Sequence, residues 1–317
     1  APLIALTDAS LFASDSSIVA ASEGDFMLVS ATRSKVAFSG SRIEALKAMA
    51  FTAFSADHSD IAIASSSITA AQGVRIFGAF DMDGGALTLR ESLVESHSDL
   101  GLNLLALRSA SIVVDRSLIK ADGGSGFLRI GSFKSVSGEL KNSKLIVAGK
   151  GPGTLFEIQG GGPALRHNTI AADSKGALRF FDVKGPVPPV WNSILDCSSP
   201  GAQLLRSDSV PSTGAFAADC VWGFEKLVSG AISIVDLQSL NALNALNSLY
   251  SSKPIVSEPP ETSFAAPIKS QAPLRRGSAC VDAALSLESG YALDFSGRPR
   301  PAPGSSAPDI GADELYD

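Results

Sequence analysis

The sequence contains few residues of the kinds that most readily identify a class of protein. Three cysteines and three histidines among 317 residues are too few and too scattered for a disulfide scaffold or a zinc site. Basic residues number 26 against 32 acidic ones, whereas nucleic-acid-binding proteins normally have clustered Lys and Arg and a high pI. No run of about 18 apolar residues occurs. We therefore expect no nucleic-acid partner and no transmembrane segment.

The start of the chain lacks both an initiator methionine and a basic segment ahead of an apolar one. The first residues are Ala1-Pro2-Leu3. Export signals combine a basic segment with an apolar one and are removed from the mature protein. The start of the sequence therefore predicts a processed terminus from which any such signal has already been cut.

A repeat of about 25 residues runs through most of the chain and predicts the fold. Hydroxyl residues recur at intervals of 24 to 26 residues, at Ser17, Ser41, Ser67, Ser92, Ser117, Ser143, Thr169 and Ser193. Between them, apolar residues alternate with polar ones, which is typical of short strands with one buried face. The pattern predicts an all-β, right-handed parallel β-helix over residues 1–229, with about eight or nine coils of three short strands each.

Two turn columns follow from this repeat. We expect the side chains of Ser67, Ser92, Ser117 and Ser143 to form one longitudinal column. We also expect Asn142, Asn168 and Asn192 to stack beside it, since asparagine side chains can hydrogen-bond one another and the turn backbone.

The two ends of the repeat need different kinds of cover. At the first coil nothing in the sequence shields the open strand edges, so we expect residues absent from this sequence or another chain to cover them. At the other end, Ile232–Tyr250 has leucines at three-residue steps and predicts a helix that docks on the last coil. Prolines then enforce an extended path. We interpret 230–317 as a cap and wrap-around tail of the same domain.

The tail also contains the most specific motif in the chain. Its three segments are Pro273-Leu-Arg-Arg-Gly-Ser-Ala-Cys-Val-Asp-Ala283, Asp294-Phe-Ser-Gly-Arg-Pro-Arg300 and Pro308-Asp-Ile-Gly-Ala-Asp-Glu314. They resemble the C-terminal signature of bacterial secreted right-handed β-helix repeat proteins of the pectate-lyase-like superfamily. The resemblance implies a protein that is secreted, periplasmic or on the cell surface of a bacterium. It implies no single activity, because one solenoid can host binding proteins, lyases and hydrolases.

Charged residues of the tail have two interpretations. Guanidinium groups of Arg298 and Arg300 can bind carboxylates of the same segment and fix the tail to the end of the helix. The carboxylates available are those of Asp294, Asp309, Asp313 and Glu314. A calcium site made of these carboxylates is the alternative.

Residues with the chemistry of a polysaccharide-cleaving enzyme are sparse. Asp81 and Asp83 are the only dense carboxylate pair that suits calcium, and they lack the further ligands of a full loop. The paired aspartates, Gly-His-Gly and Arg-Ile-Lys segments of a polygalacturonase-like hydrolase are missing. We therefore expect no cofactor, with calcium as the open alternative, and no catalytic residue can be named.

Two columns of charged residues are the candidate binding surfaces. Arg75, Arg129, Glu157 and Arg179 each stand between apolar residues of the third strand, so we expect an outward, salt-bridged row. A second set is purely basic and precedes the hydroxyl residues of four consecutive coils. Its members are Arg90, Arg116, Lys141 and Arg166. They predict contact with an acidic polysaccharide or another anionic partner; the alternative is a solvated turn neutralised by Glu91 and other carboxylates.

The cysteines add one further candidate contact. Cys197 and Cys220 are 23 residues apart, close to one coil, which makes them a disulfide candidate; buried free thiols are the alternative. Taken together, the sequence favours an exported, non-catalytic β-helix that binds a glycan or a protein partner or acts as a rigid module. A polysaccharide lyase or glycoside hydrolase is the alternative.

Overall fold

The computed structural model describes residues 2–212, 215–244, 255–257, 274, 277–285, 291–305 and 307–315. Its strands and single helix, in chain order, are β1 (Pro2–Thr7), β2 (Ser10–Ser14), β3 (Ser17–Ala21), β4 (Phe26–Thr32), β5 (Lys35–Ser39), β6 (Arg42–Asp57), β7 (Asp60–Ala64), β8 (Ser67–Asp83), β9 (Ala86–Arg90), β10 (Leu93–Ser98), β11 (Gly101–Arg108), β12 (Ser111–Asp115), β13 (Leu118–Gly123), β14 (Phe127–Lys134), β15 (Ser137–Lys141), β16 (Lys144–Gly149), β17 (Gly153–Gln159), β18 (Ala164–Arg166), β19 (Thr169–Ser174), β20 (Leu178–Lys184), β21 (Val190–Trp191), β22 (Ile194–Cys197), β23 (Gln203–Ser207), β24 (Phe216–Ala217), β25 (Cys220–Trp222), β26 (Lys226–Gly230) and α1 (Leu237–Asn244).

These strands form three parallel stacks, which confirms the predicted β-solenoid of about nine turns and about 25 residues per coil. The first sheet contains β2, β5, β7, β9, β12, β15, β18, β21 and β24. The second sheet follows it in each coil and contains β3, β10, β13, β16, β19, β22 and β25 with the first parts of β6 and β8. The third sheet contains β1, β4, β11, β14, β17, β20, β23 and β26 with the last parts of β6 and β8.

The interior is filled by apolar side chains that repeat from coil to coil. Phe54 and Phe80 stack at 5.3 Å between ring centroids, and Phe156 stacks on Phe181 at 5.4 Å. Each such pair contributes about 0.5–1.5 kcal/mol beyond the burial of its area. Because each coil buries its apolar face against its neighbours, the stack has one continuous core.

Hydroxyl groups line the corner between the first and second sheets as a buried ladder. The amide of Ser92 donates to the hydroxyl of Ser117 at 3.2 Å, and the amide of Ser117 donates to that of Ser143 at 3.1 Å. The same kind of bond connects the amide of Ser66 to the hydroxyl of Ser92. The column therefore contains Ser66, and the prediction that it contains Ser67 is wrong by one residue. Ser67 instead begins β8, level with Leu93.

The predicted asparagine column divides between two positions of this corner. Asn168 belongs to the hydroxyl ladder, where its side-chain oxygen accepts from the amide of Ser143 at 3.1 Å. Asn142 and Asn192 instead each precede a ladder serine, Ser143 and Ser193, and have φ values of 48° and 54°. Asparagine tolerates this left-handed conformation better than most residues, so these two make the turn rather than a stacked amide row.

Removal of one ladder hydroxyl is expected to destabilise the fold. In Ser117→Ala, the buried amide of Ser92 loses its side-chain acceptor, and the carbonyl of Asp115 keeps only the amide of Glu91 as a donor. We expect a loss of about 1–3 kcal/mol in the free energy of unfolding, measured by chemical denaturation. The control Ser111→Ala changes an exposed serine of the same coil and should stay within about 0.5 kcal/mol. Equal losses in the two variants would contradict a role for the ladder.

The predicted C-terminal helix is present, and it begins at Leu237 rather than at Ile232. Asp236 caps α1, since its carboxylate accepts from the amide of Ser239 at 2.8 Å. Leu240 is buried in the core at the last coil, and Asn241 exchanges two hydrogen bonds with the backbone of Ile255. Residues 245–250 of the predicted helix lie outside the described residues.

After the helix, the tail does not stay at the end of the solenoid. It also lies along the corner that contains the hydroxyl ladder. Its contacts reach Asn192 through Leu285, Thr169 through Ala312, and Lys144 through Asp313. The tail therefore runs back over several coils. The first coil, by contrast, exposes its outward apolar residues, Leu3, Phe12 and Val19; its cover stays a prediction.

The cysteine pairing predicted from the sequence is wrong. Cys220 forms a disulfide with Cys280 of the tail, and Cys197 is a buried free thiol whose pKa burial raises to about 11. The local coil is 26 residues long, because Ile194 pairs with Cys220. Cys197 is therefore three positions further along its strand than the residue level with Cys220, and the two sulfurs are not aligned.

The tail is stabilised by a buried ion pair on the corner. Arg300 binds Glu314 at 2.9 Å, with 1% and 0% of the two side chains exposed, and it also donates to the carbonyls of Gly311 and Ala312. Burial raises the pKa of Glu314 to about 7. Burial and Arg300 hold the pKa of His167, which Arg300 contacts at 3.0 Å, well below its usual value. Arg298 forms the expected ion pair with Asp294 at 2.9 Å.

Candidate functional site

The predicted basic column lies at the corner between the first and second sheets, and acidic residues interrupt it. Arg90, Lys141 and Arg166 share one register position, but Asp115 occupies that position in the coil between Arg90 and Lys141. Arg116 is one residue further, at φ 47°. It forms an ion pair with Glu91 of the preceding coil, the neutralising partner named as the alternative above.

The C-terminal tail covers the later half of this column. The hydroxyl of Tyr291 donates to Glu139 at 2.7 Å, and its ring lies 5.3 Å from the ammonium group of Lys141. Arg166 contacts the same tyrosine and stacks on Trp191 at 4.9 Å. Lys141 also pairs with Glu139 at 2.8 Å. Together with Arg116, which is paired with Glu91, three of the four predicted binding residues are therefore engaged by the protein itself.

The predicted outward column lies on the third sheet, in two rows rather than one. Arg129 and Arg179 occupy one register position, with Thr154 between them. Glu157 belongs to the next outward row, and the rows are joined by an Arg129–Glu157 ion pair at 2.7 Å. Arg75 is not level with either row, since its neighbour Ile76 pairs with Gly101 at the start of β11.

Beside these rows is a groove of about 300 Å³ that follows the axis of the solenoid. One wall contains Ser132, Glu157 and Asp182. The other wall is formed by the last residues of β11, β14, β17 and β20. These four residues are level with one another and are Arg108, Lys134, Gln159 and Lys184. The groove thus has an acidic row on one side and a mainly basic row on the other.

The cations of the groove differ in how far they are already engaged. Arg108 binds Asp81 at 2.9 Å and lies 3.8 Å from Asp83, so the weak calcium candidates contact a guanidinium group. Lys134 and Lys184 are exposed, and in the described part of the chain no carboxylate lies within ion-pair distance of either. Two ammonium groups are thus available to an anionic ligand.

The acidic wall is neutralised from the side away from the groove. Asp182 accepts from Arg179 at 2.7 Å and lies 3.7 Å from Arg206, while Glu157 pairs with Arg129. The groove therefore presents a net positive edge at Lys134 and Lys184. Across the described ranges no group of three His, Cys, Asp or Glu side chains is arranged to hold a metal ion.

Sequence reasoning missed the basic row, although a signal for it was present. Arg108, Lys134, Gln159 and Lys184 recur at intervals of 26, 25 and 25 residues, each just before a Ser or Gly. The following residues, such as Ser109 and Ser135, adopt left-handed φ values of 49° and 54°. They end each strand of the third sheet and so place the preceding long side chain at the sheet edge.

Comparison of the sequence with known protein families finds no matching family model, and the search of curated proteins finds no match either. Of the helices described, none has the length and hydropathy needed to cross a membrane. The surface geometry therefore provides the main evidence for function.

Proposed function

We propose that this protein is an exported β-solenoid that binds an anionic polysaccharide along the groove of the third sheet. The observation that carries the proposal is the pair of exposed ammonium groups on Lys134 and Lys184. With coils about 4.8 Å apart, the two lysines stand roughly 10 Å from each other along the solenoid axis. A polymer with regularly spaced carboxylates can contact both, and its binding should weaken as salt screens the charges.

Two observations support export. A disulfide joins Cys220 to Cys280, and such bonds persist mainly in oxidising compartments outside the cytosol. The tail motif from Pro308 to Glu314 resembles that of secreted bacterial β-helix proteins of the pectate-lyase-like superfamily. These observations fit a protein of the periplasm, the cell surface or the medium.

Removal of the two lysines is expected to abolish most of the binding. In the double variant Lys134→Ser/Lys184→Ser, affinity for polygalacturonate at low salt should fall about tenfold or more, measured by calorimetry or biolayer interferometry. The matched control Lys35→Ser/Lys150→Ser removes the same charge from exposed sites outside the groove and should bind like wild type. Loss of binding only in Arg90→Ser/Arg116→Ser would place the ligand on the corner column instead.

Hydrolysis of the bound polymer is the second candidate function, because Glu157 and Asp182 are level on adjacent strands. Neighbouring strands set such carboxylates about 5 Å apart, the spacing of retaining glycosidases. Both accept hydrogen bonds from arginine, so each carboxylate already has a charged partner. The geometry thus favours binding. New reducing ends formed by wild type but not by Glu157→Gln would favour the enzyme.

A further inference from the structure

A second hollow, of about 310 Å³, lies on the same face of the third sheet at the opposite ends of the strands. Its lining includes Phe127, Thr154, Arg179 and Gln203. The hollow is separated from the first groove by the ion pairs that join the two outward rows, Arg129–Glu157 and Arg179–Asp182. The groove and the hollow therefore lie on opposite sides of one ridge of paired charges.

Two glycines, Gly153 and Gly201, line part of the hollow. A Cβ atom on Gly153 would approach the carbonyl oxygen of Leu128 to 2.6 Å, so the close packing of β14 and β17 requires glycine. Gly201 adopts a φ of 64°, which favours glycine as well. A larger residue is therefore excluded at Gly153 and disfavoured at Gly201.

The chemistry of the hollow differs from that of the groove. The ring of Phe127 is 42% exposed, and the guanidinium group of Arg129 lies 4.8 Å from its centroid and holds its orientation. Arg179 is engaged by Asp182 at 2.7 Å and by the amide oxygen of Gln203 at 3.1 Å. The hollow thus presents an aromatic surface with a hydroxyl and an amide, and its one cation already has a carboxylate partner.

We propose that this hollow is a subsite for an uncharged sugar ring of the polysaccharide whose acidic units bind at Lys134 and Lys184. An aromatic side chain packs against the C–H face of a sugar, and polar groups at the rim bond its hydroxyls. The amide nitrogen of Gln203 supplies such a group, and the largely buried Thr154 lies in the lining beside it. The inference rests on the proposed function and narrows the ligand to a polymer that carries neutral as well as acidic sugars and crosses the third sheet from the groove to the hollow, about 20 Å along the strands.

The test compares two polymers and two phenylalanine variants. Polygalacturonate has only acidic units, whereas hyaluronan alternates an acidic unit with an uncharged one. Phe127→Ala should weaken binding of hyaluronan about tenfold and leave polygalacturonate within about twofold. The control Phe12→Ala removes a ring that is 73% exposed on the first sheet and should change neither. Circular dichroism checks that both variants fold.

The possible outcomes separate the subsite from the groove. If Phe127→Ala weakens both polymers equally, or neither, the subsite proposal is overturned while binding at the lysines stands. If wild type binds neither polymer, the proposed function fails and the subsite fails with it. Selective loss of hyaluronan binding, together with loss of both polymers in the lysine variant, supports both assignments.

Discussion

Replacing Arg300 with methionine is expected to release the C-terminal tail from the solenoid. The substitution leaves the carboxylate of Glu314 buried without its partner, along with the carbonyls of Gly311 and Ala312. Breaking a buried pair by removing one member costs about 3–5 kcal/mol. We expect this loss to appear as faster hydrogen exchange and proteolysis in the tail, with little change in the circular dichroism of the coils.

Two further variants make this experiment decisive. Arg33→Met removes an exposed arginine whose ion pair with Asp8 is solvated on both sides, so its stability should not change measurably. Arg300→Met/Glu314→Leu replaces both charges by apolar groups and should recover much of the loss. Normal protection of the tail in the single variant would show that the ion pair does not hold the segment.

Loss of the Cys220–Cys280 disulfide is also expected to release the tail, in this case through the loss of a covalent cross-link. The bond closes a loop of 60 residues in sequence, for which chain entropy predicts about 4 kcal/mol of stabilisation. In Cys220→Ser/Cys280→Ser we therefore expect the tail to undock. The coils should remain folded, because the tail residues Leu274, Cys280 and Ile310 pack with Ala171, Ile194 and Cys220 of the coils in a small apolar cluster that is separate from the main core.

Hydrogen exchange of residues 291–315 measures the effect directly, and a thermal scan of the coils serves as the reference. Cys197→Ala keeps the disulfide and removes only the buried free thiol, so its tail should exchange like that of wild type. A double serine variant whose tail stays as protected as wild type would contradict the expectation.

The solenoid could be predicted because its signal is local and repeats in every coil. Alternating apolar residues such as Ile61 and Ile63 are buried, and no long-range contact is needed to recognise them. The phase of the hydroxyl column was harder to assign. Ser66 and Ser67 are both hydroxyl residues, and only the register with the next coil shows that Ser66 faces the buried corner.

The candidate site was less accessible from the sequence. The row containing Lys134 and Lys184 repeats with the coil, so it could have been found. The path of the tail could not, because the contact of Tyr291 with Glu139 joins residues 152 positions apart. The same holds for the pairing of Cys220, since it depends on where the tail lies and not on the spacing within the repeat.

The tail also affects how cooperatively this repeat protein unfolds. In a simple solenoid each coil interacts only with its neighbours, so coils can be lost one after another from an end. Here one segment contacts the coils of Glu139, His167, Asn192 and Cys220. The tail thus connects these four coils. Opening any one of them disturbs the contacts of the tail with the other three. The C-terminal half should behave as one cooperative block, while the coils before it follow nearest-neighbour behaviour.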